Sequence, residues 1–123
     1  MDEATTARLS QSIEEWKEVY GLQRHHTFLV EAKRRRMGGH IKIDSHYLRA
    51  TIKLNPELEG SELEETVSHE MAHLFLGELA TWASTVLEYV PKDSRAPLND
   101  AWHLVWERTA ESLARLVRGL KTP

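Results

Sequence analysis

Between residues 28 and 54 the apolar side chains recur at every second position, whereas on either side they recur at three- and four-residue steps. A helix repeats its buried face every 3.6 residues and a strand every two, so the chain reads helix, strands, helix. Leu9, Ile13, Trp16 and Tyr20 share one helical face, and Gly21 supplies a left-handed stop. In the middle block Phe28, Val30 and Ala32 alternate with their neighbours. Ile41 and Ile43 do the same, as do Leu48, Ala50, Ile52 and Leu54. Turn chemistry at Gly38-Gly39 and Asp44-Ser45-His46 separates three half-buried strands. The expectation is a three-stranded antiparallel meander ending at Pro56.

A helical period resumes with a start signal. Ser61 caps free amides, Glu64 closes a capping box, and Glu62 and Glu65 sit near the positive end of the dipole. Leu63, Val67, Met71, Leu74 and Phe75 form the apolar stripe. Residues 80–90 either continue this helix or form a second short one, and Pro91 to Pro97 reads as a loop. Asn99 or Asp100 then caps a last helix with the stripe Trp102, Trp106, Ala110, Leu113, Val117 and Leu120, fraying at Gly119 and Pro123. The four tryptophans are expected to fill the core between the first and last helices. With 123 residues this is one α+β domain spanning 1–123.

Composition narrows the chemistry. The chain has no cysteine, so no disulfide holds it and any zinc site must use histidine and carboxylate ligands. A net charge of −3 gives no overall basic field for nucleic acid. The basic run Lys33 to Arg36 reads as a solvated hairpin tip, and His25, His26 and His40 lack ligand spacing and read as surface residues. No apolar run reaches membrane-spanning length. The start "MDEATTARLSQ" carries no apolar stretch of the kind a secretory leader needs, so the cytoplasm is the expected compartment.

Chemistry concentrates in "TVSHEMAHLFLGE", residues 66–78. His69 and His73 lie four apart, on one helix face with Cβ atoms about 5–6 Å apart. Two imidazoles so placed can turn onto one zinc ion. Glu70 points about 100° around the helix from His69, too far for a comfortable ligand but near enough to touch a water on the metal. Such a water ionises near pH 7, and a carboxylate can take its proton during attack on a carbonyl. Thr66 and Gly77 share the histidines' face one turn before and after, and Gly77 leaves room for backbone or substrate. Tyr47 and Tyr89 are candidate oxyanion donors that nothing in the sequence separates.

The pattern His69-Glu70-x-x-His73 resembles the zincin metallopeptidases. The metzincin continuation fails, because positions 76 and 79 are both Leu. The gluzincins instead draw a glutamate from a later helix, and "WHLVWERTAESLARL" offers Glu107 and Glu111 four residues apart. The resemblance implies that Glu107 is the third zinc ligand and that Glu111 holds the first ligand histidine, His69, by its other N–H. The alternatives for the third ligand are Glu111 and His103. His103 shares the face of Glu107 one turn earlier and is also a candidate donor to a transition-state oxyanion. In outline the chain is similar to the minigluzincins and to small HExxH proteins of phages and prophages. It is also similar to metallopeptidases that cleave phage-type repressors, whose helix carries Asn where this chain has Glu111.

The resemblance implies a zinc-dependent endopeptidase acting on a peptide or protein, with Glu70 as the base and the substrate laid antiparallel to an edge strand. The rival is a non-catalytic zinc-binding scaffold or a phage or prophage interaction protein. Retention of Glu70 separates the two, since zinc binding alone does not need it. A nucleic-acid partner acting through the basic hairpin is the third reading, and steep salt dependence would be its mark.

Overall fold

The computed structural model describes residues 1–32, 38–44 and 48–121. Among them the order of elements is α1 (Glu3–Tyr20), β1 (His26–Glu31), β2 (Gly39–Asp44), β3 (Arg49–Leu54), α2 (Gly60–Phe75), α3 (Gly77–Glu88) and α4 (Lys92–Lys121). The α+β class and the period switch therefore stand. The expected basic hairpin tip at Lys33 to Arg36, with Met37, Ser45, His46 and Tyr47, lies outside the described residues. No helix among the described residues is long and apolar enough to cross a membrane.

α1 begins as its sequence dictates. The Asp2 carboxylate accepts from the Thr5 amide at 2.7 Å, and Gly21 closes the helix at φ 72°, where a side chain would be strained. Its face of Leu9, Ile13, Trp16 and Tyr20 is buried against α2. Trp16 donates from its indole nitrogen to Glu64 Oε2 at 2.7 Å, fixing α1 on α2. This bond corrects the expected capping box. α2 starts two residues earlier than a Ser61 cap implies, at Gly60, after Glu59 in extended conformation, and no side chain caps it.

The sheet is mixed and not a meander. The order is β1-β3-β2, with β1 parallel and β2 antiparallel to β3. A meander would centre β2, whose inward positions begin with the side-chain-free Gly39. Centring β3 puts Ala50, Ile52 and Leu54 where cover is greatest, and all three are buried. The alternation of β1 is also one residue out of phase with the expectation. Leu29 pairs with Ile52 and packs on the core, while Phe28 and Val30 pair with Thr51 and Lys53 and face outward. Neighbouring residues in a sheet share a face, so β3 decides which face of β1 is inside.

α2 packs against α1, α4 and β2. Leu63, Val67, Met71 and Leu74 enter the core as expected, but Phe75 is exposed. The helix ends at Leu76, and residues 77–88 form the separate helix α3. The expected loop from Pro91 to Pro97 is instead the first part of α4, so neither Asn99 nor Asp100 caps a helix. Pro97 has no N–H to donate to the Asp93 carbonyl, so the bond it omits falls at the start of α4. Arg95 reaches back to accepting carbonyls of Glu88 at 3.2 Å and Val90 at 3.0 Å, which ties the end of α3 to the start of α4. The tryptophans do not share one core. Trp16 is buried, Trp82 on α3 is 63% exposed, and Trp102 and Trp106 are half-buried on α4. Ala110 and Ala114 are the fully covered α4 residues, whereas Leu120 is exposed.

Candidate metal centre

Three elements meet around one open cavity of about 670 Å³. α2 contributes Thr66, His69, Glu70 and His73. α4 contributes His103, Trp106, Glu107 and Glu111, and β2 with the preceding Gly38 supplies the remaining wall. β2 is an edge strand, and it comes close to α2 because Gly39 has no side chain. A Cβ on Gly39 would lie 2.8 Å from Thr66 Cγ2 and 3.0 Å from Leu54 Cδ2, inside ordinary contact.

At the base of the cavity three side chains converge. His69 Nε2 and His73 Nε2 are 3.1 Å apart. Glu107 Oε2 lies 3.1 Å from His69 Nε2, and Glu107 Oε1 lies 3.2 Å from His73 Nε2. A proton on one imidazole can satisfy only some of these contacts, because the other imidazole nitrogen and the carboxylate are both acceptors. A cation at the centre satisfies all three. Bonds of 2.0–2.1 Å in a tetrahedron set ligand atoms roughly 3.3 Å apart, close to what is seen. His69, His73 and Glu107 thus form a group that could hold a metal ion. Glu111 and His103, the other candidates for the third position, are not part of it.

Glu111 approaches His69 from the other side, with Oε2 2.9 Å from Nδ1. A hydrogen on Nδ1 donates to that carboxylate and leaves the Nε2 lone pair facing the convergence point. Burial acts to raise the Glu111 carboxyl, but hydrogen bonds from His69 and Arg115, with the nearby Arg118 charge, outweigh it and hold the group below its ordinary value. Arg115 donates to Glu111 Oε1 at 3.1 Å. Arg118 lies 3.7 Å from the same oxygen and donates to Ser68 Oγ at 2.9 Å, beside His69 in the chain. The Tyr20 phenol, pushed up to about 12 mainly by burial, stays protonated and donates to the Ser68 carbonyl at 3.2 Å.

Burial also sets the protonation of the two least exposed groups. It lowers His73 below its ordinary value against the opposing pull of Glu107, which favours the neutral imidazole that a metal requires. It raises Glu70 to about 7, with the His69 charge opposing and Glu107 adding to the rise. A metal cation held beside Glu70 would act in the opposite direction, as any positive charge does.

The expected site residues His69, Glu70, His73, His103, Glu107 and Glu111 all line one cavity. Gly77 does not; it is buried along a separate small pocket with Leu22, Leu74 and Phe75. Tyr89 is 86% exposed and is not among the lining residues. His40, read as a surface residue, is exposed but lines the cavity from β2. No spacing signal could have found it, because only the strand order brings it there. Arg118 did leave a signal: Glu111, Arg115 and Arg118 recur at four- and three-residue steps on one helix face.

No protein-family model, curated protein or solved structure matches the chain.

Proposed function

We propose that the protein is a zinc-dependent endopeptidase of gluzincin type. The observation that carries this reading is the convergence of His69, His73 and Glu107 at 3.1–3.2 Å, with the buried Glu70 beside them on an open cavity. Two imidazole nitrogens and one carboxylate, with a place left open, are the donor set of a hydrolytic zinc site. Zinc bound there supplies a Lewis acid for a carbonyl oxygen and lowers the pKa of a water to about 7.

The chain's own residues do the rest. Glu70 takes a proton from the attacking water at a carboxylate oxygen, while the hydroxyl adds to the peptide carbonyl carbon. It then gives that proton to the amine nitrogen as the C–N bond breaks. Glu111 holds the His69 ring. His103 lines the cavity wall and would donate to the oxyanion. β2, an edge strand of the sheet among the described residues, would take an extended peptide whose main chain adds as a further strand.

The test is metal analysis of protein purified without added zinc, followed by digestion of a broad peptide library by wild type and Glu70→Gln. Cleavage by the zinc-loaded wild type and not by the variant is expected. Comparable cleavage by both removes Glu70 as the base. Zinc binding with no cleavage of any library member supports the non-catalytic scaffold instead.

A further inference from the structure

The two histidines of the cluster are held in different ways. His69 has a hydrogen-bond partner for Nδ1 in Glu111 at 2.9 Å. His73 has none: its Nδ1 is buried and unpaired among the described residues. A ligand imidazole normally donates its second N–H to a carboxylate, a carbonyl or water, and that bond fixes the plane of the ring. Without it, rotation about the bond to the ring is broad and weakly restrained.

Something else restrains this ring. The Trp106 indole lies over His73 with centroids 4.6 Å apart and planes 32° apart. Trp102, one turn earlier on α4, stacks on Trp106 at 5.5 Å and 29°. His69 meets His73 edge-on at 4.7 Å and 85°. The Trp106 indole thus covers the His73 ring, while His69 meets that ring at Nε2. Adjacent residues of α4 divide the work, since Glu107 presents its carboxylate 3.2 Å from His73 Nε2 while Trp106 covers the ring.

We infer that Trp106 is the positioning residue for His73, its indole face setting the ring plane that a hydrogen bond to Nδ1 would otherwise set. Trp102, stacked on the indole, restrains it in turn. The inference rests on reading the cluster as a zinc site. It requires a flat aromatic face at position 106, and apolar bulk alone does not suffice.

The experiment compares zinc affinity of wild type, Trp106→Phe and Trp106→Leu by competition against a zinc indicator. Melting of the metal-free proteins is measured alongside. Trp106→Phe keeps a flat face and should stay within about threefold of wild type. Trp106→Leu should lose roughly 10–100-fold, the usual cost of removing a group that orients a ligand. Equal affinities for all three, or equal losses in both variants, overturn the inference. A second readout needs no variant to survive. Zinc binding at His73 should alter the tryptophan emission of the wild type, and zinc that binds with no change in emission overturns the inference as well. In Trp106→Phe the change should disappear while zinc still binds. Failure of the wild type to bind zinc at all sinks the metal-site reading and takes this inference with it. Binding with an unaffected Trp106→Leu sinks this inference alone.

Discussion

Glu70 is the residue whose chemistry is most at odds with its surroundings. It is 7% exposed, and burial raises its carboxyl to about 7. In the metal-free protein the folded state therefore keeps the Glu70 proton longer than the unfolded chain does. Stability from this group is present at pH below about 4.5 and declines as pH rises toward 7, where the folded form must ionise too. Glu70→Gln removes the titration. With chelator present the variant should be the more stable protein at pH 8, by on the order of 2–3 kcal/mol, and the difference should vanish near pH 4. Melting curves of both proteins across that range check it; a pH-independent difference would show that Glu70 is not the titrating group. The two glutamates of α4 separate at the same scale. Glu107→Gln replaces an anionic oxygen facing both histidines, whereas Glu111→Gln alters a group that, of the two histidines, meets only His69, at Nδ1. Glu107→Gln should lose far more zinc affinity, and Glu111→Gln about 10–100-fold. The reverse ranking in a zinc-indicator titration would move the ligand to Glu111.

At the scale of elements, the cleft is set by how closely β2 lies to α2. Gly39 permits that approach, with Thr66 Cγ2 only 2.8 Å from where a Cβ would sit. Gly39→Ala should push the strand away from the helix and cost about 1–3 kcal/mol as an overpacked contact. Thr66→Ala removes the atoms nearest that Cβ, so the double variant should recover part of the loss. Strictly additive costs in a double-mutant cycle would show that the two positions are not in contact. The sheet also shows why alternation left the strand order open. β1, β2 and β3 each alternate, and alternation is compatible with any neighbour order. The phase of β1 was illegible for a related reason. His26 to Glu31 holds Phe28 and Val30 on one face and Leu29 on the other, and only pairing with buried Ile52 brings Leu29 inward.

For the whole molecule the core is modest and no disulfide reinforces it. The cluster of His69, His73 and Glu107 joins α2 to α4, with His69 and Glu107 38 positions apart in the chain, so an ion bound there would act as a cross-link between the two helices. At free zinc a thousandfold above the dissociation constant, ligand binding to the folded state adds about 4 kcal/mol. For a chain of this size that corresponds to a rise in melting temperature on the order of 10 °C. Calorimetry with zinc and with excess chelator measures it, and identical curves would mean that the cluster holds no zinc in the folded protein.

The sequence alone determined the elements that need only local rules. The face of α1 from Leu9 to Tyr20, its Gly21 stop, and the placement of His69 and His73 on one side of α2 follow from a 3.6-residue repeat and the αL freedom of glycine. Glu107 was expected only through the resemblance of the His69-Glu70-x-x-His73 and Glu107/Glu111 pattern to the gluzincins, and the structure brings its carboxylate against both histidines. The tertiary structure decided whatever depends on which element lies beside which. Strand order brought His40 to the cavity wall, and α4 began early enough to run through Pro97. Trp106, whose periodicity suits a core position, lies instead across the His73 ring. The reason is physical: periodicity reports that a face is covered, and it carries no information about what covers it.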